Sequence, residues 1–208
     1  MKQWELLTGR CGIYCSPLYP VHEDSLRLAE FFHCKPSDRV LDLGTGNGIL
    51  AIYANALHGG QYTGIDLDES ALLLAEESAK KNGQAILFQT CSVEDAPSVF
   101  GHGTFDQILM NPPYYTTGKS GRNALARHAD QSLLAEWIHA SFLLLKNGGS
   151  LSLCYPANQL AALFRALDQN RFAPKVSKLL FQDEQARLVL LKAKKLGKDG
   201  LIIMYHQD

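Results

Sequence analysis

The segment Asn111-Pro112-Pro113-Tyr114-Tyr115 carries the most specific chemical signal in the sequence, and it follows an apolar run that is typical of a buried strand. Its two prolines fix φ and remove two backbone donors, so nearby carbonyl oxygens remain available as acceptors. The Asn111 side-chain oxygen and the Pro112 carbonyl can together accept both hydrogens of an NH2 group on a planar carbon. Tyr114 offers a ring on which a flat substrate can stack. The segment predicts chemistry at an amino nitrogen, with Asn111, Pro112 and Tyr114 in catalytic roles; a rigid turn without chemistry is the alternative.

A second signal is the glycine-rich segment Asp42-Leu43-Gly44-Thr45-Gly46-Asn47-Gly48. Glycines let a backbone turn tightly and approach a ligand at a helix N-terminus. Asp66 follows 22 residues after Gly44, near the spacing at which a carboxylate accepts both ribose hydroxyls of an adenosine cofactor. The dinucleotide fingerprint G-x-G-x-x-G needs its third glycine where this chain has Ile49, which argues against NAD. The two features together predict a nucleoside-containing cofactor that lacks a pyrophosphate.

These segments must be held in place by the alternating strands and helices that the apolar pattern predicts. The predicted strands are 39–43, 62–65, 85–89, 105–110, 150–155, 176–181 and 187–192, with 201–204 as a candidate for one more. The predicted helices are 47–58, 69–81, 96–100, 131–145 and 156–168, and 111–128 is a long loop. Strands 176–181 and 187–192 are close enough to form an antiparallel hairpin. We expect an α/β fold with a mainly parallel seven-stranded sheet, a C-terminal antiparallel hairpin and helices on both faces.

The 208 residues are the size of one globular domain. We divide it into an irregular N-terminal arm at 1–36, which we expect to contribute to the substrate and cofactor site, and a catalytic domain at 37–208. A formal net charge of −1 excludes a global positive field that attracts nucleic acid or membranes. The sequence has no apolar run of the roughly 18 to 20 residues that span a bilayer and no signal peptide, so we expect a cytoplasmic protein. Five scattered cysteines fit a reducing compartment, and no metal site is expected although Cys11 and Cys15 are close in sequence.

The motif D-x-G-x-G-x-G at 42–48 resembles the first motif of class I methyltransferases that use S-adenosylmethionine, a Rossmann-like family. The resemblance implies that Gly44, Gly46 and Gly48 make room for this cofactor, that Asp42 helps to hold its amino-acid end and that Asp66 binds the ribose. Many relatives place an acid after the third strand to meet the adenine, but here the aligned residue is Ser92. The adenine contact is therefore left to Asp95 or to backbone amides. The complete predicted cofactor set is Asp42, Gly44, Thr45, Gly46, Gly48, Asp66, Leu67, Ser92, Val93 and Asn111.

The N-P-P-Y tetrapeptide resembles the fourth motif of amino-methyltransferases. Glutamine methylases of release factors usually carry an N-terminal helical domain, and DNA enzymes add a target-recognition domain; we expect room for neither. From Pro20 onward the chain is most similar to the bacterial adenine-N6 methyltransferases of valine tRNA, in features that include Ala126-Arg127-His128 and 144–149. The resemblance implies methylation of an adenine in tRNA. The alternatives are methylation of a glutamine in a translation protein, since 19–25 also resembles that family, and a non-catalytic partner of an RNA-binding subunit.

The charge distribution gives an independent indication of the substrate. Residues 111–129 contain three Lys or Arg and His128 without any acid, and residues 171–198 contain eight Lys or Arg against two acids. A tRNA enzyme without a net positive charge is expected to concentrate its cations in this way. The predicted substrate contacts are Pro113, Tyr115, Lys119, Arg122, Arg127 and His128. The oligomeric state is left open.

Overall fold

The computed structural model of the chain describes residues 2–7, 9, 11–113 and 123–204, and for 123–131 it describes the backbone only. Its strands are β1 (Gln3–Leu7), β2 (Cys11–Cys15), β3 (Arg39–Leu43), β4 (Gln61–Asp66), β5 (Leu87–Thr90), β6 (Phe105–Met110), β7 (Leu145–Pro156), β8 (Phe172–Gln182), β9 (Gln185–Lys195) and β10 (Ile202–Met204). Its helices are α1 (Glu23–Phe31), α2 (Ile49–His58), α3 (Glu69–Lys81), α4 (Ala96–Phe100), α5 (Asn123–Leu144) and α6 (Leu160–Gln169), with a 3-10 turn at Ala157–Gln159. No helix within these described ranges is long and apolar enough to cross a membrane.

Eight strands form one sheet in the order β10-β8-β9-β7-β6-β3-β4-β5, and β1 and β2 form a separate antiparallel hairpin. The five strands from β7 to β5 are parallel to their neighbours, whereas β9 runs antiparallel to both β7 and β8. The seven expected strands and the C-terminal hairpin are therefore confirmed. The short strand β10 pairs with β8 and adds an eighth.

Two apolar cores lie on opposite faces of this sheet because successive strand side chains alternate between faces. Along β3, Leu41 and Leu43 pack in the core formed with α4, α5 and α6. Val40 from the same strand packs in the other core, with α1, α2 and α3. Strands that are buried on both faces read as nearly continuous apolar runs, as 108–110 does and as 40–43 does apart from Asp42.

The sheet has a topological switch point between β3 and β6. From β3 the chain moves outward through β4 to β5, and then returns to place β6 on the other side of β3. Connections that leave in opposite directions open a crevice beyond the carboxyl ends of the two central strands, where open α/β sheets bind ligands. The two chemical segments of the sequence lie directly after these two strands.

The N-terminal arm is more regular than the sequence predicts. The expectation of irregular chain is wrong for β1, β2 and α1. The hairpin is held on α3 by Asn82, whose side chain donates to the Gly12 carbonyl at 2.7 Å and accepts from the Gly12 N–H at 2.9 Å. A two-stranded hairpin is marginal alone, so it depends on this contact and its short pattern was not recognised in the sequence.

Other boundaries also differ from expectation: β7 begins at Leu145 rather than 150, and α6 begins at Leu160 rather than 156. Helix α5 begins at Asn123, eight residues before the predicted start at 131, so the loop after β6 is shorter than 111–128. The good helix formers in Asn123-Ala-Leu-Ala-Arg explain the early start. Strands β8 and β9 are each longer than predicted because only Asp183 and Glu184 turn between them, both with positive φ as a tight hairpin turn requires.

Candidate active site

Strand register brings the predicted site segments together. Leu43 at the end of β3 pairs with Ile65 of β4 on one side and Met110 of β6 on the other. The next residues along the three strands are Gly44, Asp66 and Asn111, which therefore meet at the carboxyl edge of the sheet. Gly44 and Asn111 both line two neighbouring cavities of about 570 and 170 Å³.

The larger cavity combines an apolar wall with a few polar groups, as small-molecule sites usually do. Its apolar residues include Ile65, Leu133 and Trp137, and Leu67, Val93 and Pro113 lie at its border. Its polar residues include Asp66, Ser92, Glu94 and Asn111. The predicted Leu67, Ser92, Val93 and Pro113 are therefore all in contact with one space.

Asp66 carries a carboxylate that the backbone fixes in orientation. Its Oδ2 accepts from the Gly46 N–H at 2.8 Å, and its Oδ1 accepts from the Asp68 N–H at 3.0 Å. Each carboxylate oxygen has a second lone pair, so both remain able to accept one more hydrogen bond. The side chain lines the larger cavity and can accept a pair of adjacent hydroxyls there.

Asp42 is almost completely buried below the glycine segment and lines the smaller cavity. Its Oδ2 accepts from the Thr45 hydroxyl at 2.6 Å and from the Ala51 N–H at 3.2 Å, which ties the loop to the first turn of α2. Its Oδ1 has no hydrogen-bond partner among the described residues. Burial raises the pKa of Asp42 to about 7. A cationic group in the smaller cavity would satisfy this oxygen and favour its charged form.

The three predicted glycines of the loop all have positive φ, but they face different surroundings. A Cβ at Gly44 would lie 2.4 Å from the Trp137 ring, and one at Gly48 would lie 2.7 Å from Ala75 Cβ. A Cβ at Gly46 would meet nothing within 4 Å. Gly44 and Gly48 therefore make room for side chains of α5 and α3, and Gly46 leaves the space in front of Asp66 open.

A matched pair of variants separates these roles. Gly44→Ala is expected to lower the melting temperature strongly, since it adds a collision with the Trp137 ring to an unfavourable backbone conformation. Gly46→Ala carries only the backbone cost of about 1 kcal/mol, and it is expected to weaken ligand binding more than it weakens folding. Thermal unfolding with and without ligand measures both effects. A Gly46→Ala protein less stable than Gly44→Ala would contradict this assignment.

The segment after β5 is built around Ser92. Its hydroxyl donates to Asp95 Oδ2 at 2.7 Å and accepts from the Asp95 N–H at 3.0 Å, which fixes the turn into α4. Asp95 is thus engaged with Ser92, whereas Glu94 lines the larger cavity. Glu94 is therefore better placed than Asp95 to meet the adenine base of a cofactor, whereas the sequence analysis named only Asp95 and backbone amides for this contact.

Asn111 has one end of its side-chain amide paired and the other end free. Its Nδ2 donates to the Ser25 hydroxyl at 3.2 Å, across 86 positions of the sequence. Its Oδ1 is buried and has no hydrogen-bond partner among the described residues. An unsatisfied buried acceptor is costly unless a ligand completes it. Asn111 therefore presents an acceptor at the junction of the two cavities.

The sequence interpretation did not name two groups of lining residues, although it expected the arm at 1–36 to contribute to the site. The first is the arm segment before α1, where Leu18, Tyr19, Pro20 and His22 line the smaller cavity. The second is the face of α5 that carries Leu133, Glu136 and Trp137. Residues 133 and 137 are four positions apart on a helix, so they share one face. This spacing was visible in the sequence, but only the packing of α5 over the loop shows that the face covers a cavity.

The remaining predicted residues are only partly described. Tyr114, Tyr115, Lys119 and Arg122 lie outside the described residues, and Arg127 and His128 are described for their backbone in α5 alone. Pro112 is buried at the end of β6. All five cysteines are free thiols. Within the described part of the chain, no three His, Cys, Asp or Glu side chains group as metal ligands do.

The two cavities fit the cofactor expected from the sequence. That molecule has a ribose with two adjacent hydroxyls, for which Asp66 is oriented in the larger cavity. It also has an amino-acid tail with a cationic amino group, for which the unpaired Asp42 Oδ1 stands in the wall of the smaller cavity. Gly44 and Asn111 line both cavities, so the two ends of the cofactor would lie on either side of these residues. The residues that line the two cavities therefore fit the two ends of this cofactor.

Comparison with known proteins gives a family match and several relatives. The profile of a family described as "Methyltransferase domain" matches residues 35–203. The "tRNA1(Val) (adenine(37)-N6)-methyltransferase" of Vibrio campbellii is 30% identical over 165 residues, which cover 76% of this chain and 65% of that protein. The protein of the same description from Shewanella woodyi is 26% identical over 216 aligned residues, covering 97% of this chain and 86% of its own.

Among solved structures, TrmN from Thermus thermophilus superimposes with a TM-score of 0.65 and 29% identity. The match covers 83% of this chain and 47% of that chain. The chain thus spans about two thirds of the Vibrio relative and about half of TrmN.

Proposed function

The chain belongs to the methyltransferase domain family, and from this membership we propose that it transfers a methyl group from S-adenosylmethionine to the N6 amino group of an adenine in tRNA. Relatives described as tRNA adenine-N6 methyltransferases support the choice of acceptor. The observation that carries the proposal is the buried Asn111 Oδ1, which has no partner among the described residues and lies where both cavities meet. A free hydrogen-bond acceptor at this point suits a substrate nitrogen that carries hydrogens.

The cofactor is held by residues on three strand ends. When bound, it supplies an electrophilic methyl group on a sulfonium centre. Asp66 accepts the ribose hydroxyls, Asp42 faces the amino group of the tail, and the apolar wall with Trp137 packs against the base. The arm at 1–36 contributes Leu18, Tyr19, Pro20, His22 and Ser25 to the wall of the smaller cavity, at the tail end of the site.

The acceptor nitrogen is prepared by Asn111 and Pro112. The lone pair of an exocyclic amino group is delocalised into its ring, which makes the nitrogen a poor nucleophile. Acceptance of its two hydrogens by Asn111 Oδ1 and the Pro112 carbonyl draws the nitrogen out of the ring plane and returns the lone pair to it. The fixed acceptors cost no reorganisation at the moment of reaction, which is how preorganised polar groups accelerate a step.

The substrate base must leave its stack to reach this site. Unstacking costs a few kcal/mol, and stacking on an aromatic ring returns about 1 to 3 kcal/mol per base. We assign that role to Tyr114, with Pro113 and Tyr115 beside the base and Lys119, Arg122, Arg127 and His128 on the phosphates. With tRNA as its substrate, we propose that the protein acts in the cytoplasm.

Methyl transfer from labelled cofactor tests the proposed function directly. The full chain is incubated with labelled S-adenosylmethionine and, in separate reactions, with bulk tRNA and with a release factor. Label in N6-methyladenosine after digestion of the tRNA is the expected result. Label in the protein acceptor alone would establish the glutamine alternative. Cofactor binding without transfer to either would indicate a non-catalytic partner of another subunit.

The buried position of Asp42 predicts a pH dependence of cofactor binding. A pKa raised to about 7 means that the empty site holds this carboxyl partly protonated at neutral pH and largely so below it. A bound ammonium group favours the carboxylate, so binding releases a proton below pH 7 and affinity rises from about pH 5 to about pH 7. Calorimetry in buffers of different ionisation enthalpy measures both effects. The Asp42→Asn protein is expected to lose this dependence.

The same carboxyl gives the folding stability of the cofactor-free protein the opposite pH dependence, because that stability falls as pH rises. Its folded pKa lies above the usual value of 3.8, so its contribution to stability is complete below about pH 4 and is lost as pH rises through about 7. Thermal unfolding of cofactor-free wild type over this range, compared with Asp42→Asn, isolates that loss. Wild-type cofactor affinity that stays constant from pH 5 to pH 7 would refute the placement of the ammonium group.

A further inference from the structure

The Asn111 side chain needs a fixed orientation. The two ends of a side-chain amide have nearly the same shape, and the torsion that exchanges them is broad and roughly two-fold. With the oxygen facing the cavity, Asn111 accepts a hydrogen from an amino group. With the NH2 end facing the cavity, donor meets donor and the interaction is lost. The chain must therefore contain a group that decides between the two orientations.

Ser25 is in the position to make that choice. Its hydroxyl accepts from Asn111 Nδ2 at 3.2 Å. Among the described residues, Ser25 is the hydrogen-bond partner of the Asn111 side-chain amide. Ser25 is 5% exposed, so water does not compete freely for its hydroxyl. With Nδ2 bound to Ser25, Oδ1 is the end that remains for a substrate.

Ser25 is itself held by the scaffold. It lies in the first turn of α1, where its N–H donates to the His22 carbonyl at 3.2 Å. The neighbouring Asp24 forms an ion pair with Arg187 of β9, which attaches the start of α1 to the main sheet. Leu28 and Ala29 of the same helix are fully buried in the core below. The position of the hydroxyl is thus set by packing that does not involve the cofactor.

We propose that Ser25 is a positioning residue that holds the Asn111 amide with its oxygen toward the acceptor nitrogen. The inference rests on the proposed function for its kinetic consequence. Ser25 takes no proton and touches no reacting atom in this role, because it acts through Asn111 alone. This effect on Asn111 therefore falls on the chemical step rather than on the binding of tRNA.

Single-turnover kinetics of Ser25 variants test the proposal. Ser25→Ala is expected to slow methyl transfer about tenfold, the effect of one neutral hydrogen bond, with the tRNA KM changed less than twofold. Ser25→Thr keeps the hydroxyl and is expected to recover most of the rate. Ser141→Ala is the matched control, since it removes another fully buried helical hydroxyl, whose bond to the Trp137 carbonyl lies within α5. We expect it to retain the wild-type rate.

A double-mutant cycle separates positioning from a structural role. In an Asn111→Ala background, Ser25→Ala is expected to cause no further loss, because nothing remains to be oriented. A further tenfold loss in that background would show that Ser25 acts elsewhere and would overturn the proposal. A wild-type rate for Ser25→Ala alone would overturn it too.

An NMR measurement tests the orientation independently of activity. The Asn111 side-chain NH2 resonances are identified by their disappearance in Asn111→Ala. In Ser25→Ala, one of the two is expected to move toward the position of an unbonded amide. Unchanged resonances would refute the hydrogen bond and the inference with it. A wild type that methylates no acceptor while the resonance shifts as expected would refute the proposed function and leave the Ser25 contact established.

Discussion

Asn111→Ala is expected to slow methyl transfer to tRNA about 100-fold or more, the lower range for loss of one preorganised polar contact in a transition state. The buried Oδ1 has no partner among the described residues, so its interaction with the substrate is formed at the reacting nitrogen. Binding that is equal in substrate and transition state does not raise turnover, but an acceptor that strengthens as the nitrogen leaves the ring plane does. Cofactor affinity should remain almost unchanged, because Asp66 and Asp42 make the charged contacts.

Two further variants sharpen this result. Asn111→Asp keeps an acceptor oxygen but loses the donor to Ser25, so we expect a rate between those of wild type and Asn111→Ala. Asn82→Ala removes an amide that joins α3 to the hairpin away from the site and is expected to affect stability more than rate. If Asn111→Ala methylates tRNA at the wild-type single-turnover rate, the Asn-Pro-Pro-Tyr segment is only a turn and the proposed chemistry is wrong.

Asp66→Ala is expected to weaken cofactor binding by tenfold or more, since each hydrogen bond to a charged group contributes about 1.5 to 3 kcal/mol and Asp66 offers two to the ribose. The substitution also leaves the Gly46 and Asp68 N–H groups without their acceptor, which loosens the loop. Asp66→Asn keeps one acceptor oxygen and the shape of the side chain, and is expected to lie between wild type and alanine. Calorimetric titration with S-adenosylhomocysteine measures the three affinities without turnover.

An exposed acid on α3 provides the control for charge alone. Glu76→Ala removes the same charge and is exposed on the helix that follows Asp66. We expect its affinity for the cofactor to match that of wild type, because exposed charges are screened by solvent and salt. Equal losses in Asp66→Ala and Glu76→Ala would indicate a general field effect and count against the ribose contact.

Much of the arrangement follows from local sequence patterns. The runs at 39–43 and 105–110 are short, mainly apolar and followed by Gly44 or by Asn111-Pro112, a pattern that is typical of buried strands. A glycine segment after one strand and Asn111-Pro112 after another then lie at one edge of the sheet, because parallel strands share the direction in which they end. Family membership was also visible in these motifs, since their spacing is a local property of the chain.

Boundaries and partners depended on contacts that are distant in sequence. The β1–β2 hairpin is attached to α3 by Asn82, some 70 positions away, and a two-stranded hairpin is not stable without such a distant contact. The longer strands β8 and β9 follow from pairing with each other and with β7, which extends a ladder beyond the residues that favour strand locally.

By itself, the sequence determined the fold class, the cofactor-binding strand ends and the Asn-Pro-Pro-Tyr motif, because these depend on residue type and spacing over a few positions. Only the tertiary structure decided that Trp137 of α5 occupies the space that Gly44 leaves, and that Ser25 of α1 meets Asn111 across 86 positions. Helices α1 and α5 pack on opposite faces of the sheet, and each sends a side chain to the same edge. Such contacts result from the packing of whole elements, whose side-chain partners no local pattern in the chain specifies.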